Sequence, residues 1–218
     1  MDFGFIDAIK ERKKAVIAEI KAFSPTHGDL LKKRDPLEIA RLYEEAGSAA
    51  ISYITAKSFN GNLDTLKRIC REVSVPVLRK DFVKSKEDVE LTCNADADAL
   101  LLIARILGEK TPEFTDFCFE HGIEPVVEIF CEEEIQFAKN SRIVLINNRD
   151  IFNPERVDLQ RTFILAPKID KLKISGSGIK KIEDLKILKV VDAVLIGTAF
   201  MLAKDTKEFV SLFVEARI

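Results

Sequence analysis

Four ionisable side chains lie at or near the ends of short apolar segments of the chain. Glu19 and Lys21 end the segment AVIAEIK, Lys80 ends VPVLRK, and Glu128 stands near the end of EPVVEIF. Burial disfavours an ammonium and lowers its pKa, so the simplest interpretation places Lys80 in solvent just beyond the core. The alternative is a partly dry pocket, where a cation beside carboxylates can donate and accept protons. In that setting these residue types indicate acid–base chemistry.

Small residues follow the last two apolar segments of the chain. Gly176 to Ile179 reads GSGI, and Ile196 to Phe200 reads IGTAF. Glycine lets the backbone N–H groups approach a phosphate closely, and Ser177 and Thr198 add hydroxyl donors. Two tight turns that need glycine would give the same pattern. We interpret both segments as parts of a phosphate-binding site, which indicates a sugar phosphate as substrate.

The histidine and cysteine patterns argue against other kinds of site. The chain has two histidines and four cysteines, and no two cysteines form a C-x-x-C pair. A zinc site, a disulfide framework and a Ser-His-Asp triad therefore have little support. We expect no metal ion and no redox cofactor, and we assign the chemistry to Lys, Glu, Asn and Ser side chains.

Eight short apolar segments recur every 18 to 34 residues and predict β-strands. They begin at Ala15, Ala49, Val75, Asp98, Glu124, Arg142, Lys171 and Asp192. Between them lie segments with helical spacing, including DPLEIARLYEEAG, NLDTLKRICREV, SKEDVELTCNA, EEEIQFAK and KIEDLKILKVV. Continuous apolar strands joined by crossovers of this length are typical of parallel sheets. The pattern predicts an α/β fold, a closed (β/α)₈ TIM barrel; the alternative, an open doubly wound sheet, lacks its G-x-G-x-x-G turn.

Active sites of such barrels lie at the carboxyl ends of the strands. Six of the eight predicted strands end in polar or small residues that suit such a site. These residues are Glu19, Lys21, Lys80, Asp81, Glu128, Asn147, Asn148, Arg149, Ser175, Ser177, Gly197 and Thr198. Each alone is compatible with a solvated loop, but together they predict one polar rim around a substrate.

Length and charge restrict the remaining possibilities. With 218 residues, the chain suits one barrel domain over 1–218, with Met1 to Lys14 as a short N-terminal helical cap. Its 34 Lys+Arg and 36 Asp+Glu nearly cancel, which favours a small-molecule substrate over nucleic acid or a membrane. No apolar run is long enough to span a bilayer. We therefore predict a cytoplasmic protein, and a monomer is compatible with the sequence.

A series of motifs resembles the indole-3-glycerol phosphate synthase family. In chain order they read VIAEIKAFSP, SFNGNLDTL, PVLRKDF, VVEIF, INNRDI, SGSGI and VLIGTAFM, and they span Val16 to Met201. The resemblance implies a carboxy-lyase of tryptophan biosynthesis. Such an enzyme closes the indole ring of 1-(2-carboxyphenylamino)-1-deoxyribulose 5-phosphate with loss of carbon dioxide and water.

The resemblance also implies a role for each catalytic residue. Lys80 is the general acid that protonates the substrate carbonyl oxygen as the ring carbon attacks. Lys21 pairs with the anthranilate carboxylate and assists dehydration. Glu128, with Glu19 beside it, stabilises the developing positive charge or transfers protons. Asn147 orients the substrate.

Other residues are implied to bind the substrate. Arg149 orients the substrate. Phe59 and Phe82 either contact its aromatic ring or belong to the core. The phosphate contacts are Ser24, Ser177, Gly178, Gly197 and Thr198.

Three departures from the family pattern keep other functions open. Gly176 stands where members usually have a glutamate, Phe23 stands where a basic residue often precedes Ser-Pro, and the segment before the first strand is short. The alternatives are a phosphate-binding paralogue with impaired catalysis, or another sugar-phosphate isomerase or epimerase of the same fold.

Overall fold

A computed structural model of the chain describes residues 4–12 and 14–216, and in it eight parallel strands close into a barrel. Each strand pairs with its neighbours in chain order, and β8 returns to pair with β1. The strands are β1 (Ala15–Ile20), β2 (Ala50–Ile54), β3 (Val77–Lys80), β4 (Ala99–Ile103), β5 (Glu124–Ile129), β6 (Ile143–Asn147), β7 (Leu172–Gly176) and β8 (Ala193–Ile196). All eight predicted strands and the (β/α)₈ fold class are confirmed.

Helices surround the barrel, and several of them begin at capping residues. The α-helices are α1 (Gly4–Lys10), α2 (Pro36–Glu45), α3 (Leu63–Glu72), α4 (Lys86–Asn94), α5 (Ala104–Leu107), α6 (Thr111–Glu120), α7 (Gln160–Leu165), α8 (Thr198–Leu202) and α9 (Thr206–Val214). The side chains of Asp35 and Asn62 accept backbone N–H bonds at the starts of α2 and α3, and Ser85 forms a capping box with Asp88 at α4. These contacts satisfy N–H groups that an uncapped helix start leaves without partners.

Short 3₁₀ helices complete the layer in the described residues, and two of them lie where the sequence predicts helices. They are Lys57–Phe59, Gly108–Lys110, Glu132–Ala138, Ala166–Lys168 and Ile182–Val190. Lys171 Nζ donates to two carbonyl oxygens at the end of Glu132–Ala138, at 2.6 and 2.7 Å. Lys14 Nζ does the same for Ile182–Val190, at 2.7 and 2.8 Å. The ammonium groups thus satisfy carbonyls that these helix ends would otherwise leave unpaired.

The predicted N-terminal cap is helix α1, which closes the amino end of the barrel. Its Phe5, Ile6 and Ile9 are buried in one cluster with barrel-interior residues that include Ala15 and Ala193. Met1 to Phe3 and Lys13 of the predicted cap lie outside the described residues. Because α1 leads directly into β1, it lies at the end of the barrel opposite the predicted rim. The assignment of 1–218 to one domain stays a prediction.

The alternation of side chains along the strands places four polar residues in the barrel mouth, which is the carboxyl end of the barrel interior. Successive side chains of a strand point to opposite faces, so residues two apart share a face. Glu19, Lys80, Glu128 and Asn147 each follow an apolar residue of the barrel interior by two positions. Those interior residues are Ile17, Leu78, Val126 and Leu145. The polar residues therefore form the next layer of the interior, at the carboxyl end of the barrel.

Across residues 4–12 and 14–216, no helix combines the length and the apolarity needed to cross a membrane. Within the same residues, no group of three or more His, Cys, Asp or Glu side chains could hold a metal ion.

Candidate active site

A cavity of about 1870 Å³ opens at the carboxyl ends of the strands. Every residue to which the family resemblance assigns a catalytic or substrate-binding role lines it. These residues are Glu19, Lys21, Ser24, Phe59, Lys80, Phe82, Glu128, Asn147, Arg149, Ser177, Gly178, Gly197 and Thr198. The structure thus brings the predicted set together in one place, while the role of each residue stays a prediction.

Lys80 lies in the barrel mouth between two carboxylates. Its Nζ is 3.4 Å from Glu19 Oε2, and the two side chains are 19% and 7% exposed. Burial lowers the pKa of Lys80, but the charges of Glu19 and Glu128 act against it and leave that pKa above its ordinary value. Lys80 is therefore an ammonium at neutral pH, in a position to donate a proton into the cavity. The interpretation that Lys80 lies in solvent beyond the core is wrong.

Glu128 on β5 lies near Lys80, and only one of its two carboxylate oxygens accepts a hydrogen bond within the described residues. Its Oε1 accepts a hydrogen bond from Asn147 Nδ2 at 2.9 Å, and its buried Oε2 has no hydrogen-bond partner within the described residues. Burial raises the pKa of Glu128, while the Lys80 ammonium and Asn147 lower it in part. A buried acceptor without a partner costs about 1–3 kcal/mol, and more when it is charged, so this oxygen suits a positive charge that arrives with the substrate.

The side-chain amide of Asn147 is fixed in one orientation because both its nitrogen and its oxygen form hydrogen bonds. Its Nδ2 donates to Glu128, and its Oδ1 accepts from the backbone N–H of Arg149 at 3.0 Å. The amide therefore couples the end of β6 to the carboxylate on β5. Asn147 holds Glu128 in place and positions the start of the loop that carries Arg149.

An aromatic slot lies beside Lys21. The rings of Phe59 and Phe82 stack with centroids 6.4 Å apart and an interplanar angle of 29°. Lys21 Nζ lies 5.2 Å from the centroid of Phe59, and burial lowers its pKa despite the opposing effect of Glu19. Lys21 comes directly after β1 rather than within it. Both phenylalanines line the cavity, and Phe82 is 38% exposed, so they are not core residues.

Two turns with close backbone approaches form the opposite side of the cavity. Ser177 and Gly178 have positive φ angles of 68° and 85°. A Cβ atom on Gly178 would lie 2.4 Å from Val157 Cγ1, and one on Gly197 would lie 2.3 Å from Glu19 Oε1. Neither position has room for a side chain, so main-chain atoms face the cavity there.

Gly178→Ala should raise KM about tenfold, because left-handed strain of about 1–3 kcal/mol and the clash with Val157 displace the turn. Steady-state kinetics would measure the change. The φ of Gly122 is also positive, at 72°, but a Cβ atom there would meet no atom of the described residues within 4 Å. Gly122→Ala is therefore the control for strain alone, and an equal rise in KM in both variants would contradict a binding role for the Gly178 turn.

Two polar residues predicted at the rim lie outside it. Asn148 and Ser175 are fully buried, and Asn148 Nδ2 donates to Ser175 Oγ at 2.9 Å. Asn148 Oδ1 accepts from Thr162 Oγ1 at 2.8 Å. Both residues are absent from the cavity lining and fasten β6 and β7 to helix α7. Strand alternation could have indicated this, since Asn148 follows the inward-facing Asn147 by one position.

The structure shows the surroundings of Gly176 and Phe23, two residues that depart from the family pattern. Gly176 is buried, and a Cβ atom there would lie 3.3 Å from Leu145 Cδ2. Phe23 pairs with Asp29 in a short antiparallel hairpin that also carries Ser24. Ser24 is buried, and its Oγ lies 3.1 Å from Thr26 Oγ1. A larger side chain at 176 would require Leu145 to move.

The fall of kcat/KM at low pH should report the protonation of Glu128. Because its pKa is raised, it stays protonated to higher pH than an ordinary glutamate, and kcat/KM should fall as acid removes the carboxylate. The pH profile of Glu128→Gln should lack this acid limb and keep only the titrations of the substrate, which carries a phosphate and a carboxylate. Identical acid limbs in the two proteins would contradict the assignment.

Solved structures of low sequence identity share the fold. A tryptophan synthase alpha chain from Legionella pneumophila superimposes with a TM-score of 0.69 at 12% identity, over 97% of this chain and 96% of that chain. A mutant tryptophan synthase alpha-subunit from Pyrococcus furiosus gives 0.68 at 16% identity, over 94% and 98%. At these identities the likeness concerns the barrel alone.

Comparison of the sequence with known proteins shows more than the shared barrel fold. Residues 2–213 match the model of the family described as indole-3-glycerol phosphate synthase. The indole-3-glycerol phosphate synthase of Pyrococcus furiosus is 52% identical over 99% of both chains. The tryptophan biosynthesis protein TrpCD of Archaeoglobus fulgidus is 55% identical over 96% of this chain, which spans only 40% of that longer protein. With these matches and the predicted motifs gathered around one cavity, the chain belongs to the indole-3-glycerol phosphate synthase family.

Proposed function

We propose that the barrel mouth closes the indole ring of 1-(2-carboxyphenylamino)-1-deoxyribulose 5-phosphate, with Lys80 as general acid. The observation that carries the proposal is the Lys80 ammonium, held between the Glu19 and Glu128 carboxylates inside one cavity. An aromatic slot lies on one side of this group, and turns with exposed main chain lie on the other. The arrangement fits a substrate with an aromatic carboxylate at one end and a phosphate at the other.

Ring closure begins with a new carbon–carbon bond. The ring carbon that bears the carboxylate attacks the carbonyl carbon of the ribulose chain, and Lys80 transfers a proton to the carbonyl oxygen, which becomes a hydroxyl. Carbon dioxide then leaves that ring carbon, and its bonding electrons restore the aromatic ring. Loss of the hydroxyl as water, together with a proton from the adjacent carbon, completes the indole.

The carboxylates stabilise the charge that this sequence creates. Attack by the ring carbon interrupts aromaticity and places positive charge on the ring and its nitrogen. The unpaired Oε2 of Glu128 suits this charge, because a preorganised group in a dry site stabilises charge more than water does. Glu128, with Glu19 beside it, is also our candidate for accepting the proton lost in the dehydration.

Lys21 and the aromatic slot hold the anthranilate end. The Lys21 ammonium pairs with the ring carboxylate until carbon dioxide leaves, and it donates to the departing hydroxyl. Phe59 and Phe82 contact the ring faces, which suits a planar group in a slot of stacked phenylalanines. Arg149 and Asn147 orient the ribulose chain between the two ends.

Backbone N–H groups at Gly178 and Gly197, with the Ser24, Ser177 and Thr198 side chains, hold the phosphate. Close main-chain approach at glycines is the usual means of phosphate binding in barrels of this class. We further propose that the protein works in the cytoplasm as a monomer on this small molecule, without nucleic acid, membrane or cofactor.

The test is an assay of indole fluorescence with the purified protein and the carboxyphenylamino substrate. We expect saturable formation of one indole product for each carbon dioxide released. Saturable binding without turnover would instead favour the paralogue with impaired catalysis, which the glycine at 176 keeps open. Turnover of a ribulose phosphate without the anthranilate group would favour the isomerase or epimerase.

A further inference from the structure

A second cation lies beside the proposed general acid, on the opposite face of the same strand. Arg79 precedes Lys80 at the end of β3, and its side chain is only 3% exposed. Its guanidinium donates to Thr55 Oγ1 at 3.0 Å, to the Asp88 carbonyl at 2.7 Å and to Thr92 Oγ1 at 2.8 Å. Arg79 thus ties the end of β3 to helix α4 and to the residue that follows β2.

The carboxylate partner of Arg79 follows Lys80 directly. Asp81 Oδ2 accepts from Arg79 Nη2 at 2.9 Å and from Thr55 Oγ1 at 2.6 Å. Asp81 Oδ1 accepts from the backbone N–H of Phe82 at 2.8 Å. One ion pair therefore fixes the residues on both sides of Lys80 and the main chain of a phenylalanine in the aromatic slot.

The backbone of Lys80 is held by the same group of residues. The carbonyl of Lys80 accepts from the backbone N–H of Thr55 at 3.0 Å. Thr55 therefore contacts Arg79, Lys80 and Asp81 at once. A guanidinium serves this purpose better than an ammonium, because its planar donors point in fixed directions.

We propose that Arg79 and Asp81 form a positioning pair that sets the place of the Lys80 ammonium relative to the substrate carbonyl. This inference rests on the proposed role of Lys80. It assigns a function to Arg79, which is buried and does not line the cavity, and to its partner Asp81, which is partly exposed and does line it. Displacing a reacting group by about 1 Å can lower a rate about 10²-fold. The pair therefore acts on kcat through geometry rather than on substrate binding.

Arg79→Met keeps an unbranched side chain to about the position of the arginine Nε and removes the charge and the donors. We expect kcat to fall about 10- to 10²-fold, with KM changed by less than about threefold. Arg79→Lys should recover part of kcat, since an ammonium can reach some of the same oxygens. Asp81→Asn keeps two acceptor contacts, so it serves as the second variant if Arg79→Met fails to fold.

A matched control exists at the other end of the barrel. Glu124, fully buried at the start of β5, pairs with Arg142. Arg142→Met leaves the buried Glu124 carboxylate without its cation, as Arg79→Met does for Asp81, so it should lower the thermal midpoint while kcat stays within about twofold. An equal loss of kcat in Arg142→Met would show that Arg79→Met acts through stability alone.

The decisive comparison places Arg79→Met in a Lys80→Ala background. If Arg79 acts through Lys80, the double variant should have the kcat of Lys80→Ala, with no further loss. Multiplied losses would overturn the positioning role while leaving Lys80 as general acid. Near-normal kcat in Lys80→Ala alone would overturn the proposed role of Lys80, and the positioning inference with it.

Discussion

Lys80→Ala is expected to lower kcat about 10²- to 10⁴-fold, the usual contribution of a general acid. KM should change little, because the phosphate turns and the aromatic slot hold the substrate from both ends. Lys80→Arg should recover little activity, since a guanidinium is larger and holds its proton too tightly. Steady-state kinetics of indole formation, with substrate binding measured separately, gives both quantities.

Two other lysines provide controls for Lys80→Ala. Lys84→Ala removes an exposed ammonium that does not line the cavity, and it should leave kcat and KM unchanged. Lys21→Ala should weaken binding as well as turnover, because Lys21 is assigned to the substrate carboxylate. A near-normal kcat in Lys80→Ala would show that its ammonium serves only the ion pair with Glu19.

Glu128→Gln is the second variant with a large expected effect. Glutamine keeps the side-chain volume and can still accept from Asn147, but it removes the negative charge near the developing cation. Loss of one preorganised electrostatic group typically lowers kcat about 10²- to 10³-fold. Indole formation at saturating substrate measures this loss.

The control for Glu128→Gln is a second buried glutamate on the following helix. Glu134 Oε2 accepts from the backbone N–H of Phe130 at 2.7 Å, and its Oε1 pairs with Arg105 Nε at 3.1 Å. Glu134 does not line the cavity, so Glu134→Gln should affect stability more than kcat. Equal losses of kcat in the two variants would argue against electrostatic stabilisation by Glu128.

The barrel could be predicted because its strands are buried on both faces. Such strands appear in the sequence as continuous apolar segments. In each, a polar residue that follows the inward-facing apolar residues marks the carboxyl end of the strand. Helix starts were equally visible, since Asp35, Asn62 and Ser85 each cap a helix that follows. Site residues such as Lys80 could then be placed at the rim by the fold alone, although their roles came from resemblance.

Other features depend on tertiary contacts that no local pattern contains. The 3₁₀ helices Glu132–Ala138 and Ile182–Val190 end in carbonyl groups that accept hydrogen bonds from Lys171 and Lys14. These lysines come from distant segments of the chain. The network around Arg79 joins β2, β3 and helix α4, so its sequence neighbours show only a charged strand end. Strand alternation indicates that Asn148 faces away from the barrel mouth, but its hydrogen-bond partners Ser175 and Thr162 come from other segments of the chain.

The arrangement of the substrate in the cavity is tested most directly by a crystal structure with an analogue whose carbonyl is reduced to a hydroxyl. We expect Lys80 Nζ within about 3.2 Å of that hydroxyl oxygen, the reach required of a general acid. The anthranilate ring should lie in the Phe59 and Phe82 slot, with the phosphate against Gly178 and Gly197. A ligand bound in the reverse direction, with its hydroxyl beyond the reach of Lys80, would contradict the account.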